Sequence, residues 1–278
     1  MEESGDNESS LMLIKEWVAT QSFPDELLAD LHLLNFLRGC KFDQLKTRDK
    51  LTHYLQLRSS KSEFFHDRDP CGESLREAIS RGIMISSTIE NFEIVIVRWK
   101  YCDIKKVSLI NASKLGFMLF DVFMNESPTC MINGHTVIID CENLPLGYAL
   151  QLSPRFIREL KHVVFKAYPT RIKAIHVVNC FPGVGTMFNI FKPILPVKIV
   201  SRIHFYKASS ISELRAHIPP SVLPKDYGGE GETLDTLRDV TRSMFEERRS
   251  WFLKELSDAR RQRKSPPQQF EWGTVYAH

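Results

Sequence analysis

Lys198 and Arg202 stand four residues apart directly after the segment TMFNIFKPIL, and that spacing places two like charges on one helical face. Alone, the pair would weaken an isolated helix by roughly 0.2–0.5 kcal/mol, a cost that a bound anion offsets. The segment before it is apolar. Met187, Phe188, Ile190, Phe191, Ile194 and Leu195 cover too much of the helical circumference for a single core-facing stripe, so the helix is either buried all round or opens its outer face to something apolar. Pro193 and Pro196 each remove a backbone donor and crowd the preceding turn, which makes the segment jointed. A jointed apolar helix followed by a basic pair suits a lid with an anion site beside it. A core helix with a solvated pair is the plainer alternative.

Other residues whose types suggest chemistry lack the partners that chemistry needs. Asp140 ends the run VIID and His176 sits within AIHVVN, so an acid/base pair across neighbouring strands is conceivable, but no nucleophile on a sharp turn accompanies them. Gly183-x-Gly185 sits where a dinucleotide fingerprint would, between a strand and a helix, yet Phe188 replaces its third glycine. Cys180 opens CFPGVGT, where Thr186 occupies the position at which a phosphate-clamping arginine would be required. His162 and His204 have no metal-ligand spacing, and the six cysteines are scattered without a CxxC pair. These patterns predict neither catalysis nor a metal or other cofactor, and they read Cys141 and Cys180 as core thiols.

The elements that must carry these residues follow from periodicity. The first 68 residues carry helical signals only: Leu11–Ala19, then a helix opened by Pro24-Asp25-Glu26 and running to Gly39, then one capped by Asp43. After the turn-rich HDRDPCGES, strands and helices alternate: strand Phe92–Trp99, helix Ile110–Met124, strand Thr136–Cys141, helix Pro154–Tyr168, strand Lys173–Asn179, the jointed segment, and strand Arg202–Lys207. The Val/Ile runs are nearly continuous, as in strands covered on both faces, which predicts an α/β domain with a mostly parallel sheet. The expected organisation is an N-terminal helical unit over 1–68, an α/β domain over 75–235, and a C-terminal helix with a basic tail over 236–278. A net charge of +3 with no basic–aromatic platform argues against nucleic acid. The acidic start and the absence of a spanning apolar run predict an intracellular, cytoplasmic chain.

Five motifs in order, LLNFLRGCKFD, VIIDCENL, SPRFIRELKHVVFKAYPTRIKAIHVVN, FKPILPVKIVSRIHFY and LPKDYGG, resemble those of the CRAL-TRIO lipid-binding family. Within it the chain is most similar to the branch of α-tocopherol transfer protein and cellular retinaldehyde-binding protein. The resemblance covers about Leu33 to Gly231. It implies a three-helix unit on an α/β domain whose sheet floors an apolar cavity, closed by a helical gate at Met187, Phe188, Phe191, Ile194 and Leu195. It also implies a phosphoinositide cleft at Lys41, Arg171, Lys198 and Arg202, all four basic here. The implied cavity lining is Ile139, Leu152, Phe156, Leu160, Val163, Tyr168, Ile172 and Ile175. The implied function is binding of one hydrophobic small molecule or lipid by a monomer, released during transient peripheral contact with phosphoinositide-containing membranes. A lipid-sensing adaptor without transfer, or a nucleotide-dependent enzyme, stands as the alternative. The chain departs from the family pattern at Phe181-Pro182-Gly183-Val184-Gly185, where bulky apolar residues are usual, which moves the expected start of the gate to near Thr186 and its hinge to the glycines. The run Arg260–Lys264 is a further expected membrane contact.

Overall fold

A computed structural model describes residues 2–21, 29–89, 92–100, 102–127 and 130–254. The tail run Arg260–Lys264 and the residues Pro24-Asp25-Glu26 lie outside the described residues; the helix expected to run from those residues to Gly39 begins only at Asp30, because Ala29 is extended.

The N-terminal third is helical: α1 (Glu2–Ala19), α2 (Asp30–Gly39), α3 (Gln44–Ser60), α4 (Ser62–Phe65) and α5 (Glu73–Ser80). Asp43 caps α3 as its position suggests, its carboxylate accepting from the Lys46 amide at 3.0 Å. The remainder runs β1 (Met84–Ile89), β2 (Phe92–Arg98), α6 (Leu109–Glu126), α7 (Cys130–Asn133), β3 (His135–Asp140), α8 (Leu146–Gln151), α9 (Pro154–His162), β4 (Ile172–Val178), α10 (Val184–Phe191), α11 (Val197–Val200), β5 (Ile203–Phe205) and α12 (Leu234–Glu247). Ser153 caps α9 with Pro154 in its first turn. That helix is shorter than its apolar pattern indicates, because Val163–Ala167 continue it as a π-helix before Tyr168 turns to the extended conformation that the following proline demands.

The sheet has five strands in the order β1-β2-β3-β4-β5. The pairs β2–β3, β3–β4 and β4–β5 are parallel, while β1 pairs antiparallel with β2. Sequential parallel strands joined by right-handed crossovers must place every crossover on the same face. That face carries α6, α9 and α10. Alternation of side chains then sorts the strand residues: Val97, Ile139, Ile175, Val177 and Ile203 look toward the crossovers. Ile94, Ile96, Ile138 and Val178 look the other way, into a core completed by Leu214, Ile218, Leu223, Leu234 and Leu237.

The two regions are fastened by a buried carboxylate. Asp121 on α6 accepts from the Tyr54 and Tyr168 hydroxyls at 3.0 and 2.8 Å, and from Arg58 and Arg68 at 2.9 and 2.5 Å. Tyr54 and Arg58 belong to α3, so one residue of the α/β domain ties down the helical unit. Among the described residues, no helix is long and apolar enough to cross a membrane.

Candidate lipid cavity and basic edge

The crossovers do not pack flush on the sheet. Between them lies a cavity of about 460 Å³. The sheet supplies the floor through Val97, Ile139, Ile175, Val177 and Ile203; one wall is α6, with Ala112, Gly116, Phe117 and Phe120; the other is α9 and the π-helix, with Phe156, Ile157, Leu160, Val164 and Phe165. Val184, Met187, Phe188, Phe191 and Leu195 close the remaining side.

Of the lining residues expected from the sequence, Ile139, Leu152, Phe156, Leu160 and Ile175 face this space. Val163, Tyr168 and Ile172 do not. Val163 is fully buried in the core that joins the two regions. Tyr168 is held there too, because a buried hydroxyl needs a partner and Asp121 provides it; its ring stacks on Phe117 with centroids 5.6 Å apart, behind the cavity wall. Ile172 sits at the head of β4, outside the cavity. Residues that sequence reasoning passed over include Trp99, Phe117 and Phe120. Their apolar runs gave the signal, without the register that says which face they take.

The gate segment breaks where its prolines fall. α10 ends at Phe191, Lys192–Ile194 form a 3-10 turn containing Pro193, and Pro196 caps the short α11. Met187, Phe188, Phe191 and Leu195 point into the cavity and Ile194 does not. Phe188 meets Phe205 of β5 edge-on at 5.1 Å. The helix begins at Val184, two residues before the expected Thr186, and Val184 itself is buried against the cavity. Gly183 caps it at φ +107°, a conformation that a side chain resists. On the outer surface Ile190 is 56% exposed and Val197 86% exposed, flanked by the exposed Lys192 and Lys198.

Of the four expected basic residues, Arg171 and Arg202 are tied by hydrogen bonds to the backbone beside the start of β4. Arg171 is exposed and donates to the Ile132 carbonyl at 2.5 Å. Arg202 donates to the carbonyl of Ile172, the next residue along from Arg171. Lys198 is exposed on α11, but that helix ends at Val200, so Arg202 lies beyond it and the two do not share the helical face their spacing suggests. Lys41, also exposed, follows Gly39, whose backbone packs so closely on Pro169 that an added Cβ would lie 2.4 Å from it. Lys173, not singled out from sequence, joins them: it is the exposed extra residue where the β3–β4 register shifts.

The polar residues considered for catalysis are otherwise engaged. Asp140 accepts from Tyr227, Asn179 and the Glu142 amide, each at 2.8 Å. His176 pairs in register with Ile138 rather than Asp140, and its Nδ1 lies 3.0 Å from the Tyr206 hydroxyl. It faces away from the cavity toward His204 and His217, with ring centroids 5.4 and 5.5 Å away, and burial lowers its pKa to about 4. Among the described residues, no group of three His, Cys, Asp or Glu side chains is placed to hold a metal ion. Cys141 is buried and its thiol pKa is pushed up to about 12, which makes it unreactive.

Comparison with known proteins agrees with this architecture. Alpha-tocopherol transfer protein-like from Homo sapiens is 28% identical over 215 residues, spanning 75% of this chain and 61% of that protein. Clavesin-2 from Mus musculus is 24% identical over 203 residues, spanning 72% of this chain and 62% of that one. The chain thus aligns with about three fifths of the length of these relatives. Residues 3–75 match the model described as Pinta-like, UBA domain. Residues 84–229, more than half of the sequence, match the CRAL/TRIO domain model, and the chain belongs to that family.

Proposed function

We propose that this protein binds one hydrophobic small molecule or lipid in the cavity over the sheet and releases it at phosphoinositide-bearing membranes, acting as a carrier and not as an enzyme. The observation that carries this reading is the 460 Å³ apolar cavity closed on one side by a jointed helix. Burial of apolar surface at about 25 cal/mol per Å² supplies ample affinity for such a cargo, so the harder step is release. Two features of the outer surface support release at a membrane. Ile190 and Val197 offer exposed apolar side chains on the gate, and Lys41, Arg171, Lys173, Lys198 and Arg202 offer cations beside it. An anionic headgroup that binds the open gate better than the closed one shifts the population toward release, by no more than that difference in affinity. The names of the relatives, one of them a tocopherol transfer protein-like chain, point the same way. On this reading the protein works in the cytoplasm, as a monomer, and meets membranes transiently.

The test is transfer of a fluorescent apolar lipid between vesicles. Lys198→Ala with Arg202→Ala should slow transfer to phosphoinositide vesicles several-fold, leave cargo affinity within about twofold, and lower the melting temperature by only a few degrees, since the fold loses one hydrogen bond, from Arg202 to the Ile172 carbonyl, worth about 0.5–1.5 kcal/mol. Unchanged transfer together with a large loss of stability would mean that the pair is structural and release lies elsewhere.

A further inference from the structure

Within the wall formed by α9 and the π-helix, which also holds Phe156 and Phe165, Ile157, Leu160, Lys161 and Val164 are spaced i, i+3, i+4, i+7. Lys161 is the anomaly. Three of these positions are apolar and the fourth carries a full charge, half-buried in the wall. The other cations of the helix, Arg155 and Arg158, are exposed off this stripe. Glu159, the acid nearest in sequence, is engaged with Lys61 at 3.6 Å and Arg155 at 3.3 Å. Among the described residues no carboxylate forms an ion pair with Lys161.

The two hydroxyls in the wall are already committed. The Ser113 hydroxyl donates to the Leu109 carbonyl at 2.8 Å, and the Tyr148 hydroxyl donates to the Val107 carbonyl at 2.5 Å. Among the described residues, Lys161 is the one charged side chain that lines the cavity. Filling the cavity strips water from its ammonium, which is costly unless the cargo brings an opposite charge. Size narrows the class further. A cavity of about 460 Å³ lies in the range of about 300–1,000 Å³ typical of small-molecule sites, which suits a single chain or a small ring system.

Resting on the carrier reading above, we infer that the cargo is a single-chain or compact-ring lipid with one anionic head, a carboxylate, held by Lys161. The apolar body lies along the sheet and α6, and the head sits at α9. Charge-assisted pairing favours the acid over a neutral molecule of the same shape.

The experiment measures binding of palmitate and of methyl palmitate to the delipidated full-length protein, by displacement of a fluorescent fatty acid. The parent protein should prefer the acid by about tenfold, equivalent to about 1.4 kcal/mol. Lys161→Met should abolish that preference while ester affinity stays within about twofold, and Lys161→Arg should restore it. Equal binding of acid and ester to the parent, or a preference that survives in Lys161→Met, overturns the assignment while leaving the carrier reading intact. Failure of both compounds to bind overturns both.

Discussion

At the scale of single residues, Asp121 does the most structural work and was the least visible in the sequence. It lies in the middle of an apolar helical run, where an isolated acid reads as a solvated side chain. Its meaning depends on Tyr54, Arg58, Arg68 and Tyr168, which are 47 to 67 positions away and reach it only after the chain has folded. Asp121→Asn removes the buried carboxylate that Arg58 and Arg68 share and should cost about 3–5 kcal/mol, read as a lower urea midpoint. A loss below about 1 kcal/mol would show that solvent reaches the cluster. The same dependence on distant partners explains Tyr168: the family resemblance implied the cavity, but its hydroxyl draws it to Asp121. Among the basic residues, Lys198 and Arg202 drew attention by their spacing although α11 ends between them, whereas Lys173 depends on a register shift that no local pattern records.

At the scale of elements, the helices were located by their buried faces and most strands by Val/Ile runs that the fold covers on both sides. β1 was missed. Its residues, MISSTI, are half polar, as an edge strand allows, and it pairs antiparallel on the rim of the sheet. The gate was legible through its prolines, and the structure separates the roles of its two glycines. Gly183 holds φ +107° at the helix cap, while Gly185 is helical with nothing within 4 Å of an added Cβ. The two substitutions should therefore act in opposite directions. Gly185→Ala stiffens the closed helix by up to about 1 kcal/mol and should slow exchange of bound cargo. Gly183→Ala strains the cap and should speed it. Stopped-flow exchange of a fluorescent lipid reads both; if neither rate moves, the hinge is the 3-10 turn at Lys192–Ile194.

At the scale of the whole molecule, the order of strands was implied by their alternation with helices, and the one-sided crossovers follow from handedness. What the sequence did not contain was the gap between crossovers and sheet, which is set by side-chain packing across elements far apart in the chain. The fold also buries neutral histidines. His32 and His135 are fully buried, and burial lowers the pKa of each to about 4 from an ordinary value of 6.5. Between pH 6.5 and 4 the unfolded chain binds more protons than the folded one, so stability falls as pH falls through that window. From pH 7.5 to 5.5 each histidine should remove roughly 1 kcal/mol, measurable as a shift in urea midpoint. A flat profile over that range would show that these rings titrate normally.

The central claim is that the cavity carries a cargo, and the most direct measurement is native mass spectrometry of the purified full-length protein beside Ile175→Trp, whose indole occupies the cavity floor. The expected result is one apolar molecule per chain in the parent and none in the variant, with both unfolding cooperatively. A parent protein that holds no ligand and takes none up, or an Ile175→Trp protein that carries as much as the parent, would contradict it.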